Sequence, residues 1–332
     1  MNARRLMWVI MIVASAVNAK DTSPEVEKAI REGAKVRMTF HVRDSQGQAV
    51  SNAQFTAALR FWTKDDADIV EGVTDTNGMY TVEGITSLGI NYTFTKDGYY
   101  ITRHEKTFPN PQYTPNIVKD GKWQPWNPMI EITLKEKRNP VSMYVRRIDT
   151  QIPKNERIEF DCEEGDWVKP HGKGETGDFS VYYESSAQGW FDLGDKTIRL
   201  IISSEEDEGF IEMEKDTYSF AQTVYEAPKE GYDPEIVWSL ERQDGKKITE
   251  INLPENHYLV FRSRVKKDEE GNIIHSRFGK IMGIKYGENR LTKEGYGYIN
   301  FLYYFNSTDN DHNLEYDCVN NLINPRERIN AP

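Results

Sequence analysis

Cysteine is scarce in this chain of 332 residues: there are two, Cys162 and Cys318. Neither lies just behind the apolar run that opens the chain, so a bacterial lipoprotein anchor is unsupported. Beyond that run, no segment approaches the roughly 20 apolar residues that span a bilayer, and no transmembrane anchor is expected. Positive charge is in deficit, 42 Lys and Arg against 53 Asp and Glu, for a net charge of −11. An acidic surface repels phosphate backbones, so nucleic acid is not expected as a partner. No Gly-x-Ser-x-Gly elbow occurs. The glycines at 165, 172, 174 and 177 surround His171-Gly172-Lys173-Gly174 but lack phosphate-loop spacing and a following helix, which makes them a flexible inter-strand loop.

What is present begins with an export signal. Arg4 and Arg5 precede an apolar stretch from Leu6 to Val17, and small residues then lead to a cut before Lys20. Residues 1–19 read as a signal peptide and the protein as secreted or periplasmic. Thr22 to Gly33 reads as a short helical lead-in within 20–34. Thr22 or Ser23 can cap it, Pro24 and Glu25 suit its first turn, and Gly33 suits its end.

From Lys35 the period changes to two. Val36, Met38, Phe40 and Val42 alternate with polar residues, and so do Phe55, Ala57, Leu59 and Phe61. Ile90, Tyr92 and Phe94 form the next inward face, and Ile130, Ile132 and Leu134 close the pattern. Asp44-Ser45-Gln46-Gly47, Asp75-Thr76-Asn77-Gly78 and Lys96-Asp97-Gly98-Tyr99 punctuate it as turns. These motifs, with Val50, Ala53, Thr74 and Tyr80 at their fixed offsets, resemble the carboxypeptidase regulatory-like domain, which is similar to transthyretin and to the B-type repeats of bacterial adhesins. The resemblance covers residues 35–137 and implies a seven-stranded, prealbumin-like sandwich in an exported protein. Adhesin repeats of this kind often carry a Lys–Asn cross-link from the last strand. Ile130 to Leu134 holds no Asn, so none is expected here. A Pro-rich excursion from Thr107 to Pro128, with Trp123 and Trp126, interrupts the pattern. Loops of that length tend to be functional or disordered.

Arg138-Asn139-Pro140 reads as a linker at 138–140, and residues 141–332 as a second β-sandwich-like domain. Its strand candidates are Met143 to Arg147, Arg157 to Cys162, Phe179 to Tyr183, Thr197 to Ser203 and Phe210 to Met213. Ile236 to Glu241, Tyr258 to Lys266, Ile274 to Tyr286 and Tyr296 to Phe305 complete them. The expected fold class is therefore all-β, with two sandwiches behind a short helix. Each cysteine closes a Glu-aromatic-Asp-Cys stretch, and an even count in an exported protein predicts a Cys162–Cys318 disulfide.

Few constellations suggest chemistry. His312-x-x-Glu315 matches half of a zinc carboxypeptidase motif, but no later His supplies the third ligand. Asp309, Asp311 and Asn313 begin like a calcium loop, but Leu314 stands where the turn glycine belongs, so they are weak calcium candidates. No metal or other cofactor is expected. Paired carboxylates for glycoside hydrolysis are not singled out. Trp123, Trp126 and Trp190 are the ligand-binding candidates, because exposed indoles offer flat platforms to sugar rings and protein partners. Folding back to plug a sandwich end is the competing role for all three. The expectation is a non-catalytic binding or accessory protein. Its partner would be a glycan, an envelope component or another exported protein. The alternatives are a carbohydrate hydrolase working through the second domain, or an envelope spacer.

Overall fold

A computed structural model describes residues 23–110, 114, 116–187, 194–216, 219, 221–288, 291–327 and 329. The expected signal peptide and Trp190 lie outside them. One helix, α1 (Pro24–Glu32), precedes an all-β body. Ser23 caps it, its hydroxyl accepting from Val26 N at 3.3 Å, and Ala29 is its buried residue. No helix among the described residues is long and apolar enough to cross a membrane.

The first pair of sheets uses β1 (Ala34–Asp44), β2 (Gln54–Arg60), β3 (Asp68–Val73), β4 (Met79–Thr86), β5 (Gly89–Thr95), β6 (Thr102–Thr107), β7 (Val118–Lys119), β8 (Lys122–Trp123) and β9 (Met129–Leu134). Strand β1 pairs antiparallel with β4. Along its other edge lie β8 and then β9, both parallel to it. The second sheet runs β3-β2-β5-β6. The alternation seen in the sequence sets which side chains meet. Val36, Met38, Phe40 and Val42 face Phe55, Ala57, Leu59, Ile90, Tyr92 and Phe94 in one core. Phe61 departs from expectation: β2 ends one residue earlier, and the half-buried Phe61 ring carries Lys64 Nζ at 3.9 Å. The turns follow from aspartate chemistry. Asp44 Oδ1 accepts from Gln46 N and Gln48 N, and Asp75 Oδ1 from Asn77 N and Met79 N. Seven strands have six residues or more; the β7–β8 hairpin is the addition, and it comes from the Pro-rich excursion.

The second pair of sheets follows. It uses β10 (Val141–Pro153), β11 (Arg157–Asp161), β12 (Asp166–Trp167), β13 (Phe179–Ser185), β14 (Lys196–Ser203), β15 (Gly209–Glu214), β16 (Glu235–Gln243), β17 (Lys246–Ile251), β18 (His257–Lys267), β19 (Ile273–Gly287), β20 (Tyr296–Asn306) and β21 (Tyr316–Asn321). One sheet runs β15-β18-β19-β20-β10-β21 and the other β12-β11-β13-β14-β16-β17. Phe160, Phe179, Leu200, Phe261, Phe301 and Tyr303 share the core between them.

The expected disulfide is not formed. Cys162 is buried in that inter-sheet core, whereas Cys318 packs against Tyr100 and Ala221 on a different face. Position decides the matter: Cys162, just after β11, is enclosed between the two facing sheets, whereas Cys318 on β21 packs in separate clusters outside that core.

The two pairs of sheets meet at a polar seam. Glu315 accepts from Arg138 N at 2.9 Å, from Asn139 N at 2.7 Å and from the Tyr100 hydroxyl at 3.0 Å. Lys135 donates to the Thr223 carbonyl. The Tyr225 hydroxyl donates to Glu136 O at 2.7 Å. Lys280, 1% exposed, donates to Thr223 Oγ1 and to Leu314 O at 2.8 and 2.6 Å.

Candidate functional site

The sequence candidates disperse in the fold. Trp123 is 1% exposed, stacks on Phe108 at 4.6 Å and donates from Nε1 to Thr86 O at 2.8 Å. It plugs one end of the first core and offers no platform. The hairpin places it there, because β8 joins the edge of β1 and Lys35 N donates to Gly121 O at 2.8 Å. Trp126 is half-buried, with Lys122 Nζ 5.1 Å from its ring.

The His-x-x-Glu residues serve packing. His312 Nδ1 donates to Ala227 O at 2.9 Å, its ring lies 4.1 Å from Phe278, and Glu315 is spent on the seam. The calcium candidates are also engaged. Asp309 pairs with Arg277 and His275, both at 2.9 Å. Asp311 accepts from Asn306 Nδ2 at 2.9 Å and from Asn313 N at 3.1 Å. Asn313 Nδ2 donates to Asn139 O. Among the described residues no group of three or more His, Cys, Asp or Glu is placed to hold a metal ion.

The glycine-rich stretch is an aspartate-organised loop. Asp161 accepts from the backbone of Glu163, Glu164, Glu175 and Thr176. Asp178, fully buried, accepts from Cys162 N and is forked by Arg264 at 2.8 and 3.1 Å. Burial pushes the Asp178 carboxyl up, and the Arg264 guanidinium opposes that.

Concavity and aromatic surface coincide elsewhere. A cleft of about 570 Å³ opens between Ile198, Trp238, Leu240 and Glu250 on one sheet and His257 and Gly283 to Tyr286 on the other. The loop after β17, with Asn252, Leu253, Pro254 and Glu255, closes its side. Trp238 reaches it from β16, in register with Leu200 of β14. The β18–β19 and β19–β20 ladders converge on it, and the latter shifts register between Met282 and Lys285, with Gly283 at φ +61°. That bulge re-aims the end of β19 and brings Tyr286 beside Trp238. The two rings stack at 6.4 Å with 21° between their planes. The Tyr286 hydroxyl donates to Asn252 Oδ1 at 2.6 Å, and Asn252 Nδ2 donates to Glu250 Oε1 at 2.7 Å. Burial, with the Glu250 charge behind it, pushes the Tyr286 phenol up to about 12, so it stays a donor. His257 is held by Glu212 at 2.5 Å on the rim. Volume, apolar walls and a few placed polar groups match the general pattern of small-ligand sites.

Sequence reading assigned Trp238 and Tyr286 to strands and gave them no role. Period two places residues on faces, but it does not show where two strands fifty residues apart converge.

No protein-family model matches the chain, and no curated protein matches it in sequence. Solved structures similar to parts of it include 3-chlorocatechol 1,2-dioxygenase from Rhodococcus opacus, at 12% identity and TM-score 0.25, covering 32% of this chain and 62% of that one. Catechol 1,2-dioxygenase from Acinetobacter radioresistens matches at 11% identity and TM-score 0.25, covering 32% and 54%. A shaft pilin from Lactobacillus rhamnosus GG matches at 11% identity and TM-score 0.22, covering 74% and 92%. The chain thus spans less than two thirds of the dioxygenases it resembles, and at these TM-scores the likenesses carry no conclusion about activity.

Proposed function

We propose that this is an exported, non-catalytic binding protein whose ligand, a glycan or a sugar-bearing envelope component, seats in the cleft against the half-buried Tyr286 ring, which the buried Trp238 backs. The stacked pair beside the Asn252–Glu250 hydrogen-bonding rim is the observation that carries this reading. A sugar ring presents apolar C–H faces and polar edges, and this cleft presents an aromatic wall and polar rim. Sheets fix both sides, so little ordering is needed on binding. The first pair of sheets is then the scaffold, with a prealbumin-like, regulatory-like identity resting on its turn motifs and seven longer strands. The secreted or periplasmic address rests on the signal-like residues 1–19.

A glycan array probed with the protein and with Tyr286→Ala tests this. Glycan binding is expected, and the substitution is expected to weaken it by at least about tenfold, or more than about 1.4 kcal/mol. Trp126→Ala, on the other pair of sheets, is expected to leave it unchanged. Binding that survives Tyr286→Ala moves the ligand elsewhere, and an array with no hits turns the reading toward a protein partner. The hydrolase alternative needs paired carboxylates in the second pair of sheets, and a second, polar cleft lined by Glu159, Glu205 and Glu208 brings acids together, with burial pushing the Glu208 carboxyl up to about 7, as suits a proton donor. Its signature is turnover of a chromogenic glycoside that disappears in Glu208→Gln.

A further inference from the structure

A second cleft, of about 720 Å³, opens at the opposite end of the β18–β19 hairpin. It is polar, and most of its cations are spent inside the protein. Arg264 is held by Asp178 and Glu163, and Arg277 by Glu163 and Asp309. His275 donates to Arg264 O at 2.8 Å and faces Asp309. Arg157 is tied to the hydroxyls of Ser180 and Ser203. Of the acids, Glu175 pairs with Lys169. Glu159 and Glu205 form no ion pair among the described residues, and Arg157, bonded only to neutral hydroxyls, and Lys266 at the rim are the cations left to face them.

Deep in this cleft lies Glu208, 8% exposed, with Oε1 accepting from Val265 N at 2.9 Å. Ser204 lines the same cleft, and its hydroxyl is buried with no hydrogen-bond partner among the described residues. Burial pushes Glu208 up to about 7; the Val265 N–H opposes the shift, and the charges of Glu205 and Asp178 add to it. The site therefore offers a carboxyl without a counter-charge, a spare hydroxyl oxygen and further carboxylates. An anion entering here meets, at the base of the cleft, the Glu208 carboxyl with no cation acting on it. A primary ammonium has three donors and no acceptor, which matches what the cleft leaves unused.

We propose that this cleft binds a primary ammonium group, with Glu208 as its counter-ion and the Ser204 hydroxyl and Glu205 as its other acceptors. The site is separate from the aromatic cleft and does not rest on the glycan reading; it shares Glu208 with the hydrolase alternative. A bound cation favours the ionised carboxyl, so binding draws the Glu208 proton off and strengthens as pH rises through the range where Glu208 titrates.

Titration calorimetry of the full chain with cadaverine, against the pentanediol of the same length, tests this. Cadaverine is expected to bind and the diol is not. Affinity is expected to be about tenfold higher at about pH 8 than at about pH 6. At the lower pH, the heat should vary with the ionisation enthalpy of the buffer as a proton is released. Glu208→Gln keeps the shape and the Val265 hydrogen bond, and it is expected to remove both the affinity and its pH dependence. Should that variant fail to fold, Ser204→Ala is expected to weaken binding severalfold. Equal binding of the diol, an unaltered Glu208→Gln or Ser204→Ala, or no heat with cadaverine overturns the proposal. Tyr286→Ala is expected to leave cadaverine binding intact, which separates failure here from failure of the glycan reading.

Discussion

Trp123 illustrates what a single residue decides. Its indole is enclosed by the first core, stacked on Phe108 and bonded to Thr86 O. Trp123→Ala is expected to cost about 3–5 kcal/mol of stability, by loss of burial and the cavity left behind. Trp126→Ala, half-buried, is expected to cost far less. Urea denaturation of the two variants measures the contrast, and equal costs would return Trp123 to the surface. The sequence placed both indoles in a Pro-rich loop, and nothing local distinguishes them. What separates them is the pairing of Lys122 with Lys35, a contact between positions far apart in the chain. Lys280 was invisible in the same way. It looked like a polar residue on a long strand, yet it is buried between two pairs of sheets. Burial first, then the neighbouring Lys135, lowers it from 10.5 to about 7, against the pull of Cys318 and Glu315. Between those values the unfolded chain holds the proton and the folded chain does not. Stability is therefore expected to rise with pH from about 7 toward about 10, by at most about 1.4 kcal/mol per pH unit. The cost of the buried charge is full below that window. Lys280→Met is expected to lose this slope, and denaturation curves across the window that keep it would contradict the assignment.

At the scale of elements, what was legible and what was not divide by range. The alternation of Val36 to Val42, Phe55 to Leu59 and Ile90 to Phe94 is a local signal, and each became an inward strand face. The nine strand candidates of the second half likewise fall on strands. Missed were short or polar strands such as β7, β8, β12 and β17, where two to six residues carry no readable period. The glycine-rich stretch after β11 was read as flexible, but its backbone donors converge on one carboxylate. Asp161 holds four N–H groups, two from each end of the loop. Asp161→Ala leaves them without that acceptor and is expected to cost about 2–4 kcal/mol. Amide exchange should quicken at Glu175 and Thr176 before the sheet opens. Exchange unchanged there would mean that the glycines alone shape the loop.

The whole molecule depends on how its two pairs of sheets are joined. Among the described residues their cores share no residue, and a small cluster around Tyr100, Ala221 and Cys318 bridges them. The joint is polar, and Glu315 is its centre: two backbone N–H groups of the linker and the Tyr100 hydroxyl of the first pair all point at one carboxylate of the second. Burial, with Glu315 next, pushes the Tyr100 phenol up, so the hydroxyl remains a donor over the physiological range. Removing the carboxylate leaves the Arg138 and Asn139 N–H groups without this acceptor, at up to about 1–3 kcal/mol each where water does not replace it, while the Tyr100 hydroxyl keeps the Tyr316 carbonyl at 3.1 Å. That cost falls on the contact between the two bodies and on neither core. Glu315→Ala is therefore expected to uncouple them: scanning calorimetry should resolve two transitions more widely separated than in the parent protein, while far-ultraviolet circular dichroism keeps its β signature. Glu315→Gln, which retains an acceptor oxygen, is expected to fall between the two. If Glu315→Ala unfolds with the parent's transition shape at a lower temperature, the seam is part of one cooperative core and the two pairs of sheets do not behave as separable units.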